Sequence, residues 1–236
     1  MKKKVLILIA ALSFAAATLA QGEKTMYVMK GGKATHEIAV SDIDSIIFYN
    51  PDPCPECTVC TQKGGVYING VCWATRNVDK PGTFTAEPED TGMFYQWNSK
   101  VSWSFTDPLT PSDGTSVWDI YWDGNDATTW EKSNNPCPSG WRMPSQSELS
   151  SLVSSGYDWK TNGGQFGSGS NTLFLPAVGT RFSYDSTLYY AGSWSYYWSS
   201  TRTNASTAYH MNFYSGNAYV YIDLRANGFS CRCVAE

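Results

Sequence analysis

The chain has 236 residues, room for one ordinary domain plus small extras, and its net charge of -4 lacks the basic stripe of a nucleic-acid binder. Charged residues make up only 16% while aromatics reach 15%, a balance that excludes a disordered chain and suits a compact core rich in rings.

The first segment, MKKKVLILIAALSFAAATLAQG, has three lysines, an apolar run from Val5 to Leu19 and a small residue at Ala20. The run is shorter than the roughly 20 residues that span a bilayer, so residues 1–20 read as a cleaved signal peptide with no transmembrane segment after it. The expected location is outside the cytoplasm: periplasm, outer-membrane surface or medium. Seven cysteines in that oxidising space favour disulfides, and an odd number leaves at least one unpaired or joined to another chain.

Residues 21–50 read as a small β-hairpin unit. Two strand-like runs flank Gly31-Gly32, and a third apolar run covers Ile46 to Tyr49. Residues 51–63, PDPCPECTVCTQK, read as a Cys- and Pro-rich linker. Its Cys54, Cys57 and Cys60 suit a stapled linker, an interchain cross-link, or redox or metal work. No His follows Cys60, which speaks against covalent haem.

The remaining residues, 64–236, form the main domain. Asn69-Gly70 between two strand-like runs predicts a type I′ hairpin. The stretch from Pro81 to Asn135 is mostly irregular, with a short helix possible over Glu89 to Trp97. In PSQSELSSLVSSG, Ser145 and Glu148 predict a capping box, Leu149, Leu152 and Val153 a buried stripe, and Gly156 a stop. Later runs read as strands. In TAYHMNFY, Tyr209, Met211 and Phe213 share one face and His210 and Asn212 the other, which puts His210 on a polar surface.

The chain closes on SCRCVAE. In an extended strand Cys231 and Cys233 share a face, with their sulfurs about 7 Å apart, too far to bond each other. Each needs a partner elsewhere, and the choice lies between disulfides and a zinc site. Zinc wants four N or S ligands, and the chain has only two histidines.

Six phrases, GVYINGVCWATRNVDKPGTF, GMFYQWN, NNPCPSGWRMPSQSELSSL, LFLPAVGTRF, YYWSST and GFSCRCV, occur in an order that resembles the Fibrobacter succinogenes major paralogous domain family. That is a secreted module of Bacteroidetes-type bacteria, and the resemblance runs from about Gly64 to Val234. It implies an α+β, C-type-lectin-like fold: a small twisted antiparallel sheet, one or two helices and long irregular loops, stapled by disulfides. It also implies a Cys137–Cys233 bridge, and the topology of that fold sets Cys72 beside Cys231 as a second bridge. The enzyme class on that fold, formylglycine-generating oxidases, needs a reactive cysteine pair, so a free thiol at Cys231 or Cys233 would favour it.

No nucleophile elbow, zinc-protease helix or phosphate loop is present, so no cofactor, metal site or catalytic group is expected. Asp123 and Asp126 read as turn-formers. Trp73, Trp97, Trp141 and Trp198 fall inside the six phrases, Trp130 lies four residues before the third, and all five read as core. Trp103, Trp118, Tyr121, Trp122 and Trp194 lie beside Gly, Ser, Asp and Asn in loops, and are the candidate ligand-binding residues. The expected role is a non-catalytic recognition module for a glycan or a surface protein. The alternative is a structural or adhesive subunit of a surface assembly such as a fimbria, joined through residues 22–50 or the linker cysteines.

Overall fold

The computed structural model describes residues 25–30, 33–40 and 55–236. The chain divides into two compact units, 1–54 and 55–236. The expected signal peptide, the Gly31-Gly32 turn, the third apolar run and Cys54 lie outside the described residues. In the first unit β1 (Thr25–Lys30) and β2 (Lys33–Ala39) pair antiparallel, with a register shift between Val28 and Met29.

The second unit opens with a helix where the sequence suggests a linker. Pro55–Gln62 forms α1, with a proline in the first helical position and Glu56 in the first turn. The helix has no apolar stripe. It is held by Cys60, which is buried and bonded to Cys72 in the strand hairpin that follows. That hairpin, β3 (Gly65–Ile68) and β4 (Val71–Ala74), turns through Asn69 and Gly70, both in the left-handed region with φ of 48° and 84°, as a type I′ turn requires.

Residues 89–97 are not helical. Gly92 has φ of +70°, and a Cβ there would lie 2.3 Å from the Val78 carbonyl, so the chain turns and enters a strand. That strand, β5 (Phe94–Tyr95), pairs with β6 (Ser102–Trp103). After a long irregular stretch come β7 (Trp141–Arg142) and α2 (Gln146–Ser154). The α2 N-terminus carries the complete capping box between Ser145 and Glu148, and Leu149 and Leu152 are buried. The rest is strand: β8 (Tyr157–Lys160), β9 (Gly163–Ser168) and β10 (Asn171–Pro176) in a meander, then the short pair β11 (Thr180–Arg181) and β12 (Leu188–Tyr189). The longest sheet follows, β13 (Trp194–Arg202), β14 (Thr207–Tyr214) and β15 (Asn217–Leu224). Last comes β16 (Val234–Ala235), which enters the first sheet between β4 and β7.

The α+β, C-type-lectin-like expectation is therefore corrected. Among the described residues sixteen short strands in six small sheets, with two α-helices of eight and nine residues, make this a mostly β protein. The local phrases specify hairpins and one cap. They do not specify the helix-plus-sheet layering, which would need longer apolar helical stripes than this chain has.

The segment from Arg225 to Val234 runs through the middle of the unit, and all ten of its residues are buried. It joins four sheets through backbone hydrogen bonds. Gly228 and Arg181 exchange two (2.7 and 3.0 Å), Phe229 and Tyr95 exchange two (3.1 and 2.9 Å), Ser230 bonds Tyr196 and Trp198, and Val78 and Ala74 donate to Cys231 and Cys233. On one side of β13 and β14 lie Trp198, Phe229, Trp97, Trp130 and Cys231. On the other lie Tyr197, Met211, Phe213, Leu149, Leu152 and Trp73. All five tryptophans expected in the core are buried there.

The cysteines divide differently from expectation at one place. Cys137 and Cys233 are bonded, across 96 residues of sequence. Cys72 bonds Cys60, not Cys231, and Cys231 is free and buried. Cys57 is also disulfide-bonded. The hairpin does lie beside the closing segment, but β3 and β4 meet α1 across their near side. A Cβ on Gly65 would lie 2.7 Å from Cys72 Sγ and 2.8 Å from Cys60 Sγ, so glycine at that position makes room for the bridge. In the chain-entropy view the 96-residue closure is worth about 4–5 kcal/mol and the 12-residue one about 3 kcal/mol. Replacing Cys137 and Cys233 by serine is therefore expected to lower the urea midpoint more than replacing Cys60 and Cys72. Equal losses in paired denaturation curves would show that closure entropy does not rank the bridges.

Candidate functional site

Two loops are tied together by one buried arginine. Arg181 in β11 is fully buried, and its Nε donates to the Ser104 carbonyl at 3.0 Å. Its Nη1 donates to Ser186 at 2.7 Å, and its Nη2 to Phe105 at 3.0 Å and to Asp107 Oδ1 at 3.1 Å. One guanidinium thus holds both the 104–107 segment and the β11–β12 loop, with its donors shared among carbonyls and a single carboxylate.

The β11–β12 loop and the turn into β13 carry a line of rings. Phe182 stacks on Tyr184 (centroids 5.6 Å, planes 13° apart) and contacts Tyr189 (5.3 Å) and Tyr190 (6.3 Å). Tyr190 meets Trp194 at 6.0 Å, and Trp194 stacks on Tyr214 at 4.2 Å with planes 19° apart. Tyr184 is 67% exposed and Tyr190 49%. Tyr190 sits at φ of +62°, a left-handed backbone that costs a bulky residue on the order of 1–3 kcal/mol. The turn around it is fixed by Ser193 and Trp194, whose N–H groups both donate to the Tyr190 carbonyl at 3.0 Å. Gly179 lets this turn come close, because a Cβ there would lie 2.1 Å from the Tyr189 carbonyl.

Asp185 is the carboxylate among these rings. The Tyr189 hydroxyl donates to its Oδ2 at 2.8 Å and the Thr187 N–H to its Oδ1 at 3.0 Å. Desolvation works against its charge, but these hydrogen bonds prevail and hold the carboxyl below its ordinary range. Tyr184 and Asp185 in turn push the Tyr189 hydroxyl upward. The surface is therefore a set of neutral rings with one fixed negative charge.

The five sequence candidates separate into three groups. Trp103 is buried at 3% exposure and belongs to the core. Trp118 and Trp122 are half-buried and turn their indole N–H groups inward, Trp118 to the Ser183 carbonyl at 3.0 Å and Trp122 to the Trp97 carbonyl at 2.7 Å. Trp118 also meets Trp103 edge-on at 5.3 Å. These two hold loops down and offer little ring face. Tyr121 is 84% exposed, beside Val117 at 85%, and Trp194 joins the ring line. The Trp118–Ser183 hydrogen bond fastens the Val117–Trp122 loop to the ring-bearing loop. Sequence reading missed Phe182, Tyr184, Tyr189, Tyr190 and Tyr214. The signal was available in RFSYDSTLYY, which places four rings around one aspartate.

The other candidate groups among the described residues lie apart from one another. Among the described residues no three His, Cys, Asp or Glu side chains cluster as metal ligands. Asp123 Oδ1 accepts from the Asn125 N–H at 2.8 Å, and Gly124, Asn125 and Asp126 are all left-handed, so this loop is a turn. Cys231 is the free thiol that would favour an oxidase, but it has no exposed surface and burial pushes its thiol well up. That is the opposite of an activated nucleophile. A cavity of about 250 Å³ lies between Trp130, Lys132, Arg142 and Glu236. Its Arg142 is already paired with Glu148 at 2.7 Å, so the ring surface is the better candidate.

His210, expected on a polar surface, is 2% exposed. It lies among Tyr196, Trp198 and Phe229, with ring centroids 4.9–6.1 Å away, because the closing segment covers the face that alternation would leave to solvent. Desolvation lowers its pKa from 6.5 to about 3. The unfolded chain takes up this proton near 6.5 and the folded chain only near 3, so the stability present above 6.5 is lost progressively as pH falls between them. The full loss is on the order of 5 kcal/mol. His210→Gln is expected to flatten the fall in melting temperature between pH 6 and pH 4. An unchanged slope would show that other groups carry the acid sensitivity.

A family model described as a domain of unknown function (DUF8237) matches residues 159–234, a stretch that takes in the ring-bearing loop, the β13–β15 sheet and most of the closing segment. No curated protein and no solved structure matches the chain.

Proposed function

We propose that the 55–236 unit is an exported, non-catalytic recognition module that binds carbohydrate on the ring surface of Tyr184, Tyr189, Tyr190 and Trp194. The observation that carries this reading is Tyr190. A bulky side chain is held in a strained left-handed backbone, half-exposed, in line with its neighbours. Half of the side chain still faces solvent, so packing on Phe182, Tyr189 and Trp194 offsets only part of that cost, whereas flat sugar faces stack on such rings. Asp185 supplies an acceptor for sugar hydroxyls beside the rings, already ordered by Tyr189 and Thr187. Export is supported by the disulfides, by the lysine-led apolar start and by the resemblance to a secreted family. No helix among the described residues is long and apolar enough to cross a membrane.

The test is a glycan array followed by titration of the best ligand, read by tryptophan fluorescence. Tyr190→Asn keeps a residue that tolerates the left-handed backbone and removes the ring, and Tyr184→Ala removes an exposed one. Each is expected to weaken binding about tenfold with little loss of stability. Trp118→Ala is expected to lower stability instead, since its indole bonds Ser183 and packs on Trp103. Full binding by the Tyr184/Tyr190 double variant, or an array with no ligand at all, would overturn the reading.

A further inference from the structure

Strand β15 ends its sheet: it pairs with β14 on one side and, among the described residues, with no strand on the other. The β14–β15 hairpin turns through Ser215 and Gly216, with Tyr214 opposite Asn217. Residues 217, 219, 221 and 223 therefore direct their backbone groups to β14, and Ala218, Val220, Ile222 and Leu224 direct theirs outward. At the two ends of this outward row the chain itself takes up the N–H groups. Asn217 Oδ1 accepts from the Ala218 N–H at 2.9 Å, and Asp223 Oδ1 accepts from the Leu224 N–H at 2.7 Å. The Leu224 carbonyl takes the Asn227 N–H at 3.0 Å. Between the closed ends remain Val220 and Ile222, one on each side of Tyr221.

This edge lacks the usual guards. NAYVYIDL contains no Lys, Arg or Pro, and its pairing with β14 runs unbroken from 217 to 224 without a bulge. Tyr221 (62% exposed), Ile222 (40%) and Leu224 (48%) present apolar surface.

We propose that β15 pairs antiparallel with β15 of a second copy, about a two-fold axis at Tyr221. In this register Val220 of each copy faces Ile222 of the other, and the four open N–H groups meet the four open carbonyls. Tyr221 faces its own counterpart at the close, non-hydrogen-bonded position, where aromatic pairs contribute to strand association. Asp223 faces Tyr219, so like charges do not meet. The next pair outward is Ala218 with Leu224, whose N–H groups are already taken, and the ladder stops there at both ends. Two open residues placed evenly about a third are self-complementary. A second copy pairs every N–H and carbonyl of these two residues, as an isologous contact requires, whereas a longer strand of another protein would present carbonyls to N–H groups already occupied.

Light scattering across a concentration series is expected to show twice the mass of the chain. Ile222→Pro, which removes an open N–H, and Tyr221→Lys, which sets two like charges opposite each other, should both return the mass of one chain with an unchanged far-UV spectrum. Register is read by cysteine cross-linking. Tyr221→Cys should give a disulfide-linked dimer on a non-reducing gel, while Tyr219→Cys, which faces Asp223, should not. A wild-type monomer at every concentration, no dimer from Tyr221→Cys, or equal cross-linking from Tyr219→Cys would each overturn the proposal.

Discussion

The architecture depends on a ten-residue segment, Arg225 to Val234, that is buried on all sides. A buried segment cannot leave N–H and C=O groups to water, so each must find a partner in the surrounding chain. The partners include Arg181, Tyr95, Tyr196, Trp198 and Ala74, drawn from four sheets, together with Trp97, Ser206 and Val78. This explains how a set of short strands, several only two residues long, makes one core. Sheets that small have little stability alone. Here they are clamped on a common central segment, fastened covalently by the Cys137–Cys233 bridge.

The same segment carries buried charge, which sets the tone of the interior. Arg232 is fully buried and donates from Nε to Asn77 Oδ1 at 3.0 Å and from Nη1 to the Ala74 carbonyl at 3.1 Å. Asn77 passes the contact on to the Tyr197 hydroxyl at 3.1 Å. Arg225 donates to the Ala205 carbonyl at 3.0 Å and lies 4.5 Å over the Trp97 ring. Burial lowers both guanidinium pKa values. Buried cations met mainly by carbonyls and rings are costly to form and costly to disturb. Arg181 is the third member of the set, and it extends the same device to the surface, where it holds the loops that carry the rings. Core and candidate site are thus linked through side chains that a composition count would assign to the exterior.

Much of the local structure was legible. The Asn69-Gly70 turn, the Ser145–Glu148 cap and the late strands each follow from chemistry confined to a few neighbouring residues. The readings that failed depended on what lay across from a residue. His210 alternates as a surface group should, yet Phe229 covers its face. Cys72 lies beside the closing segment, yet α1 brings Cys60 within reach first. Trp118 and Trp122 share loops with Gly and Asp, yet both indoles are turned inward to backbone carbonyls. Tyr190 could not be read as strained at all, since a left-handed backbone at a tyrosine has no sequence signature.

By itself the sequence determined the elements and the chemical inventory: hairpins, one capped helix, an aromatic core and cysteines suited to an oxidising space. These depend on contacts within one turn or one hairpin, which neighbouring residues specify. Only the tertiary structure decided the mostly β class, the disulfide partner of Cys72, the isolation of Cys231 and the line of rings from Phe182 to Tyr214. Each of these brings together residues far apart in sequence. Which partner wins is settled by the burial of every backbone polar group along one central segment, a constraint on the whole molecule that no short stretch contains.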